Sequence, residues 1–146
     1  MASLKGLRAN MPLIMRVDGT GVFITDKRIL AAAPSAADTI DFLCPAGFQL
    51  CMLRSINDDL DTGTALLYSV GYRPVDSTAG PTAVTDYFAA AGQTAFRAAG
   101  LVDYVFKPIT FEKDVYISFL IGTAAAGQTA NNELHIIMGG NMNGPK

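Results

Sequence analysis

Few side chains in this sequence are equipped for covalent or metal chemistry. There is one histidine, His135, and there are two cysteines, Cys44 and Cys51, separated by PAGFQL. A Cys–His nucleophile would need one of those thiols beside His135 together with an orienting group. His135 instead sits out of phase with Leu134, Ile136 and Met138, which puts it on the polar face of a strand as a surface residue. One histidine cannot make a histidine metal cluster, and two cysteines without a second pair do not complete a zinc site. The thiols are open to two readings, one disulfide or two free core thiols of a reducing compartment, and the second is favoured.

The acidic loop Asp58, Asp59 and Asp61, followed by Gly63, is the remaining candidate. Three carboxylates suit a hard cation such as calcium, so this loop is read as a weak cation site. An EF-hand is excluded, because counting from Asn57 puts Thr62 at the glycine position and Tyr68 at the twelfth. Asp, Thr and Gly are also what a connection between strands uses, and a turn is the stronger reading. Gly19-x-Gly21 lacks the third glycine and the following helix of a nucleotide loop. No catalytic residue, resident metal or cofactor is therefore expected.

The elements that would position these residues are strands. Apolar side chains alternate at Ile40, Phe42 and Cys44, then at Phe48, Leu50 and Met52, and at Leu66, Tyr68, Val70 and Tyr72. The pattern returns at Val115, Ile117, Phe119 and Ile121, and at Leu134, Ile136 and Met138. Period two with β-branched and aromatic residues marks strands packed on one face. Turn chemistry separates them: Pro45-Ala46-Gly47, then residues 57–63, then the Ala/Gly/Thr/Asn-rich stretch 122–132. The fold class is all-β, a single β-sandwich or jelly-roll-like domain. In residues 82–99, Val84, Tyr87, Phe88 and Ala91 fall at helical spacing, with Thr82 or Thr85 as N-cap and Gly92 as a stop. One short helix is predicted over about 82–91. AAGQTA occurs twice, at 90–95 and 125–130, which reflects composition rather than a repeat.

Residues 1–35 read as an N-terminal arm and first strand, and 36–146 as the sandwich, within one structural domain overall. Leu4, Leu7, Met11 and Leu13 have no clean period and are interrupted by Lys5, Arg8, Asn10 and Pro12. Two readings stay open: an ordinary frayed first strand, or an arm whose apolar residues dock on a neighbouring subunit. A short strand is expected near Val22–Thr25.

The chain has 146 residues, enough for one domain with a core of its own. Only 16% of residues are charged and mean hydropathy is +0.28, against about 25% charged in an average soluble domain. Such a composition leaves apolar surface at the water boundary and points to a subunit of a larger assembly. Lys+Arg 11 against Asp+Glu 13 leaves no cation excess, so neither nucleic acid nor an anionic membrane is an expected partner. No apolar stretch reaches the ~18 residues of a helical span. The N-terminus has no continuous apolar core of a signal peptide, so synthesis in a cytoplasm is expected.

In order, CPAGFQL, DDLDTG and TALLYSVGY, then DYFAAAGQTAFRAAG, ITFEKDVYISFLIGTAAAG and ELHIIMGG, resemble small virion structural proteins of tailed bacteriophages. The resemblance covers about residues 36–140. It implies a decoration or cement protein on the exterior of the phage head. Such proteins bind the major capsid protein, bridge capsomers and associate with themselves as dimers or trimers, with no catalytic residues. The alternative is a head fibre or receptor-binding virion module on the same sandwich, which would need exposed aromatics such as Tyr72, Tyr87, Phe88 and Tyr104. A hydrolase using the acidic loop and a non-viral oligomeric β-protein are the other classes.

Overall fold

Alternating runs become strands here because their apolar phases share one core. A computed structural model describes residues 3–5, 21–129 and 131–143. Within them lie β1 (Ser3–Lys5), β2 (Gly21–Leu30), β3 (Thr39–Cys44), β4 (Phe48–Asn57) and β5 (Leu67–Pro74). They are followed by β6 (Val84–Gln93), β7 (Gly100–Tyr104), β8 (Ile109–Thr110), β9 (Val115–Thr123) and β10 (Asn132–Met142). One sheet has the order β1-β3-β9-β5-β6 and the other β2-β10-β4-β7, with β8 paired to β4.

The pairs β2/β10, β3/β9, β4/β7 and β5/β6 are all antiparallel neighbours. A long hairpin wound on itself produces that nesting, which is the strand order of a jelly roll. β1 is the exception: it adds to the edge of the first sheet parallel to β3, with Leu4 in register with Ile40. β2 runs beyond the short strand expected at Val22–Thr25 and is hydrogen-bonded to β10 from Gly21 to Leu30.

Between the sheets, Ile40, Phe42, Phe48, Leu50, Val70, Ile117, Phe119, Leu134, Ile136 and Met138 are fully buried. Phe42 and Phe119 meet edge to face at 5.8 Å, and Tyr68 stacks on Phe96 at 3.9 Å. Three hydroxyls of the core pair with one another. Tyr104 Oη lies 2.9 Å from Ser55 Oγ and 3.3 Å from Tyr68 Oη, and burial pushes both phenols up. Met52 does not belong to this core. A bulge in β4 opposite Gly139 and Gly140 shifts the phase, so Leu53 and Ser55 point inward. The backbones approach so closely there that a Cβ on Gly140 would lie 1.8 Å from the Gln49 carbonyl oxygen.

The helix expected over about 82–91 is not formed. Val84–Gln93 is a strand on the edge of the first sheet, and only the 3-10 turn Ala95–Arg97 follows. Tyr72 pairs with Val84 and Val70 with Ala89, so β6 spends extra residues against the same length of β5. That irregularity breaks the period of two and mimics helical spacing. Gly71 allows it, since the Val84 carbonyl oxygen comes within 1.9 Å of where a Cβ would stand. A lone helix of ten residues is marginal, whereas Val84, Thr85, Tyr87 and Phe88 suit a strand that finds a partner in β5.

Candidate interaction surface

The residues singled out for chemistry are scattered by this fold. Cys44 is fully buried on β3, while Cys51 is exposed at the β4 bulge, and both are free. The expectation of two core thiols is therefore corrected for Cys51, which the bulge turns outward. Burial, with a smaller contribution from Asp114, pushes the Cys44 thiol far up and leaves it unreactive. Titration of the folded protein with a chromogenic disulfide should release one equivalent of thiolate per chain, and a second only after denaturation. Two equivalents from the native state would contradict this packing.

His135 stands on the outward phase of β10, with Nε2 2.7 Å from Glu133 Oε2. Neither cysteine is among its hydrogen-bonded or ion-paired neighbours. In the acidic loop, the Asp61 carboxylate is buried and accepts four backbone N–H bonds. They come from Gly63 (3.0 Å), Ala65 (2.8 Å), Leu66 (2.7 Å) and Ala126 (2.8 Å). Asp59 accepts from the Asp61 N–H at 3.0 Å, and Asp58 from the Glu133 N–H at 2.8 Å. All three carboxylates thus take backbone donors, and the loop joins the β4–β5 connection to the β9–β10 connection. Among the described residues no group of three or more His, Cys, Asp or Glu is arranged to hold a metal. Leu7, Met11 and Leu13 lie outside the described residues; Leu4 is placed only by its register on β3.

The aromatics named for a receptor module are drawn inward. Phe88 and Tyr104 are buried, and Tyr72 and Tyr87 are half-buried in edge-to-face contact at 5.6 Å. What the outer surface does present is an apolar sheet face. The outward phase of β2-β10-β4-β7 carries Phe23, Ile29, Ile56, Ile137 and Leu101, with Val105 just past β7 in the same phase. Phe23 is 69% exposed and Val105 95%. A shallow depression of ≈ 350 Å³ lies in this face, lined by Thr25, Lys27, Ile56, His135 and Ile137 among others.

The charges on the face are paired within it. Lys27 Nζ is 2.9 Å from Glu133 Oε1, and Arg54 holds Asp103 through two nitrogens at 2.5 and 2.9 Å. Hydrogen bonds from Lys27 and His135 hold the Glu133 carboxyl below its ordinary range, and Arg54 does the same for Asp103. The other sheet contrasts with this. Its outward phase carries Thr39, Asp41, Ser69, Arg73, Tyr116 and Ser118 together with Leu43 and Leu120, and most of these side chains are buried. Sequence reasoning missed the apolar face because it followed only the phase that makes the core. The signal available was two adjacent apolar residues, Ile136-Ile137, in a strand that otherwise alternates.

No family profile and no curated sequence matches the chain. Two solved structures share its fold. A chain in the capsid of Ralstonia phage GP4 superposes with a TM-score of 0.71 at 18% identity, covering 99% of this chain and 100% of that one. A chain in the capsid asymmetric unit of cyanophage Pam1 superposes with a TM-score of 0.65 at 15% identity, covering 92% of this chain and 94% of that one.

Proposed function

We propose that the chain is a structural protein of a bacteriophage virion, a decoration or cement protein on the exterior of the head. The observation that carries this reading is the whole-length match to a chain of a phage capsid, which leaves almost nothing of either chain unmatched. The low share of charged residues and the apolar sheet face suit a protein that works inside an assembly. The reading assigns no catalytic role. Its partners are the major capsid protein and further copies of itself, and it is made in the host cytoplasm.

A protein that binds the assembled shell and not its separated subunits stabilises the shell by mass action. Many copies across capsomer joints make a modest interface effective through multivalency. In this reading residues 1–35 comprise the arm and first strand, 36–146 the sandwich body, and Leu4, Leu7, Met11 and Leu13 contact the neighbouring subunit. Quantifying this chain against the major shell protein in purified particles tests the proposal. A copy number equal to that of the shell protein, or a fixed simple fraction of it, is expected. A dozen copies or fewer would move the chain to a vertex, tail or fibre, and its absence from particles would overturn the virion reading.

A further inference from the structure

Four arginines fall among the described residues, and three of them have an acceptor. Arg54 pairs with Asp103, Arg73 with Asp41, and Arg97 Nε donates to the Leu66 carbonyl at 2.9 Å. Arg28 has no hydrogen-bonded or ion-paired neighbour, and its Nε is shielded from water without a partner. It stands on the inward phase of β2, in register with Leu134, at the edge of its sheet. Beside it the connection from β2 to β3 curves around a cleft of ≈ 340 Å³, lined by Arg28, Leu30, Ser35, Asp38 and residues 31–34 among others. We propose that this cleft binds a small aliphatic carboxylate, with the Arg28 guanidinium as its counter-ion and the Ser35 hydroxyl as a second donor.

A cationic side chain with a buried, unmatched donor has lost hydration that nothing in the fold replaces. The polar groups around Arg28 are engaged elsewhere. Asp26 Oδ1 accepts the Lys27 N–H at 2.8 Å, and Asp38 Oδ2 accepts the Ser35 N–H at 2.9 Å. The Gln128 carboxamide, anchored on the Leu30 carbonyl at 2.7 Å, leaves its own Oε1 unmatched rather than serving Arg28. The missing acceptor must therefore come from outside the fold. A carboxylate matches the donor fork of arginine with two oxygens and a single charge. A phosphate would bring more charge than one cation offsets, and would meet the Asp38 carboxylate in the same lining. The alanines and Pro34 give an aliphatic stem an apolar wall, and the volume is at the small end of ligand pockets. The cleft is also formed in advance. Ala125 N–H donates to the Pro34 carbonyl at 3.0 Å, Ala37 N–H to Ile121 at 2.8 Å, and Ile121 N–H to Asp38 at 2.9 Å. Those bonds fix the connection to the first sheet, so a ligand has little loop to order.

The inference goes beyond the virion reading and is tested on the isolated full-length chain, without particles. In proton–nitrogen NMR spectra, the Arg28 Nε–H signal and the backbone amides of residues 31–35 should shift saturably as sodium propionate is added. Affinity in the millimolar range is expected for a ligand of so few atoms. Sodium chloride at equal ionic strength should not reproduce the shift, nor should propionamide, which has the same shape without the charge. Arg28→Leu should weaken propionate binding by at least about ten-fold, read on the same backbone amides. Its melting temperature should not fall, because the charge it removes had no partner. If that variant fails to fold, Arg28→Lys serves in its place: it keeps the charge, loses the fork and should still bind more weakly than wild type. N-acetylglutamate amide distinguishes the sources. Saturable binding of it would place the carboxylate on a polypeptide side chain, and binding of propionate alone would identify a free acid. The proposal is overturned if propionate gives no saturable shift in the millimolar range, if propionamide acts equally, or if binding survives undiminished in the variants.

Discussion

Replacing Asp61 with alanine will destabilise the domain by about 3–5 kcal/mol and lower its melting temperature by roughly 10 °C. The carboxylate is buried and gathers N–H groups from two loops distant in sequence, residues 63–66 and Ala126. Hydrogen bonds to a charged acceptor are worth about 1.5–3 kcal/mol each before non-additivity, and alanine would orphan several buried donors at once. Burial pushes the Asp61 carboxyl up, but the N–H bonds from Leu66, Gly63, Ala126 and Ala65 outweigh it and hold the group below the ordinary carboxylate range. The sign follows from linkage. A carboxyl whose folded pKa is depressed contributes stability that is complete above its unfolded value, near 4, and lost as pH falls through the folded one. The gap in unfolding free energy between wild type and Asp61→Ala should therefore be full at pH 7 and shrink steadily below pH 4. Chemical denaturation at pH 7, 4 and 3 reads this directly. A gap independent of pH would mean that shape, rather than charge, anchors the loop.

Asp61 also marks where sequence reading stops. Its residue type identified a turn, and a turn is what it builds. Yet the partner Ala126 belongs to a connection that only the winding of the chain brings near. Period-two alternation made the five core strands legible, because burial of one phase is a local property of each strand. β6 was not legible, since its extra residues against β5 depend on Gly71 allowing a carbonyl through, and local spacing then reads as helix. The β4 bulge hid in the same way: Met52 continues the alternation on paper, but Gly139 and Gly140 on another strand decide which residue turns inward. The apolar outer face is the larger omission. Phe23, Ile56 and Leu101 lie far apart in sequence and become one surface only when β2, β10, β4 and β7 are placed side by side.

Truncating Arg73 to leucine should destabilise the domain by about 2–3 kcal/mol, less than breaking a fully buried pair because the guanidinium is partly exposed, with partial recovery when Asp41 is changed as well. Asp41 lies on β3 and is fully buried, although it belongs to the outward phase of its sheet. Arg73 reaches it from β5 across the intervening β9, placing Nε 3.1 Å from Oδ1 and a terminal nitrogen 2.5 Å from Oδ2. The guanidinium passes over the Tyr116 ring at 5.3 Å, so one side chain ties three strands together. An ion pair with a buried member gains little over a well-packed apolar pair, but deleting one of its members is costly. Arg73→Leu keeps the buried carboxylate and its bond from the Thr39 hydroxyl at 3.2 Å while removing a cation that offsets part of its lost hydration. Asp41→Val combined with Arg73→Leu removes both, so the double variant should be more stable than Arg73→Leu alone. A double-mutant cycle in denaturant measures that coupling, for which about 1–3 kcal/mol is expected between groups in direct contact. Strict additivity would show that the pair holds no strand in place, and that packing alone keeps β3, β9 and β5 in register.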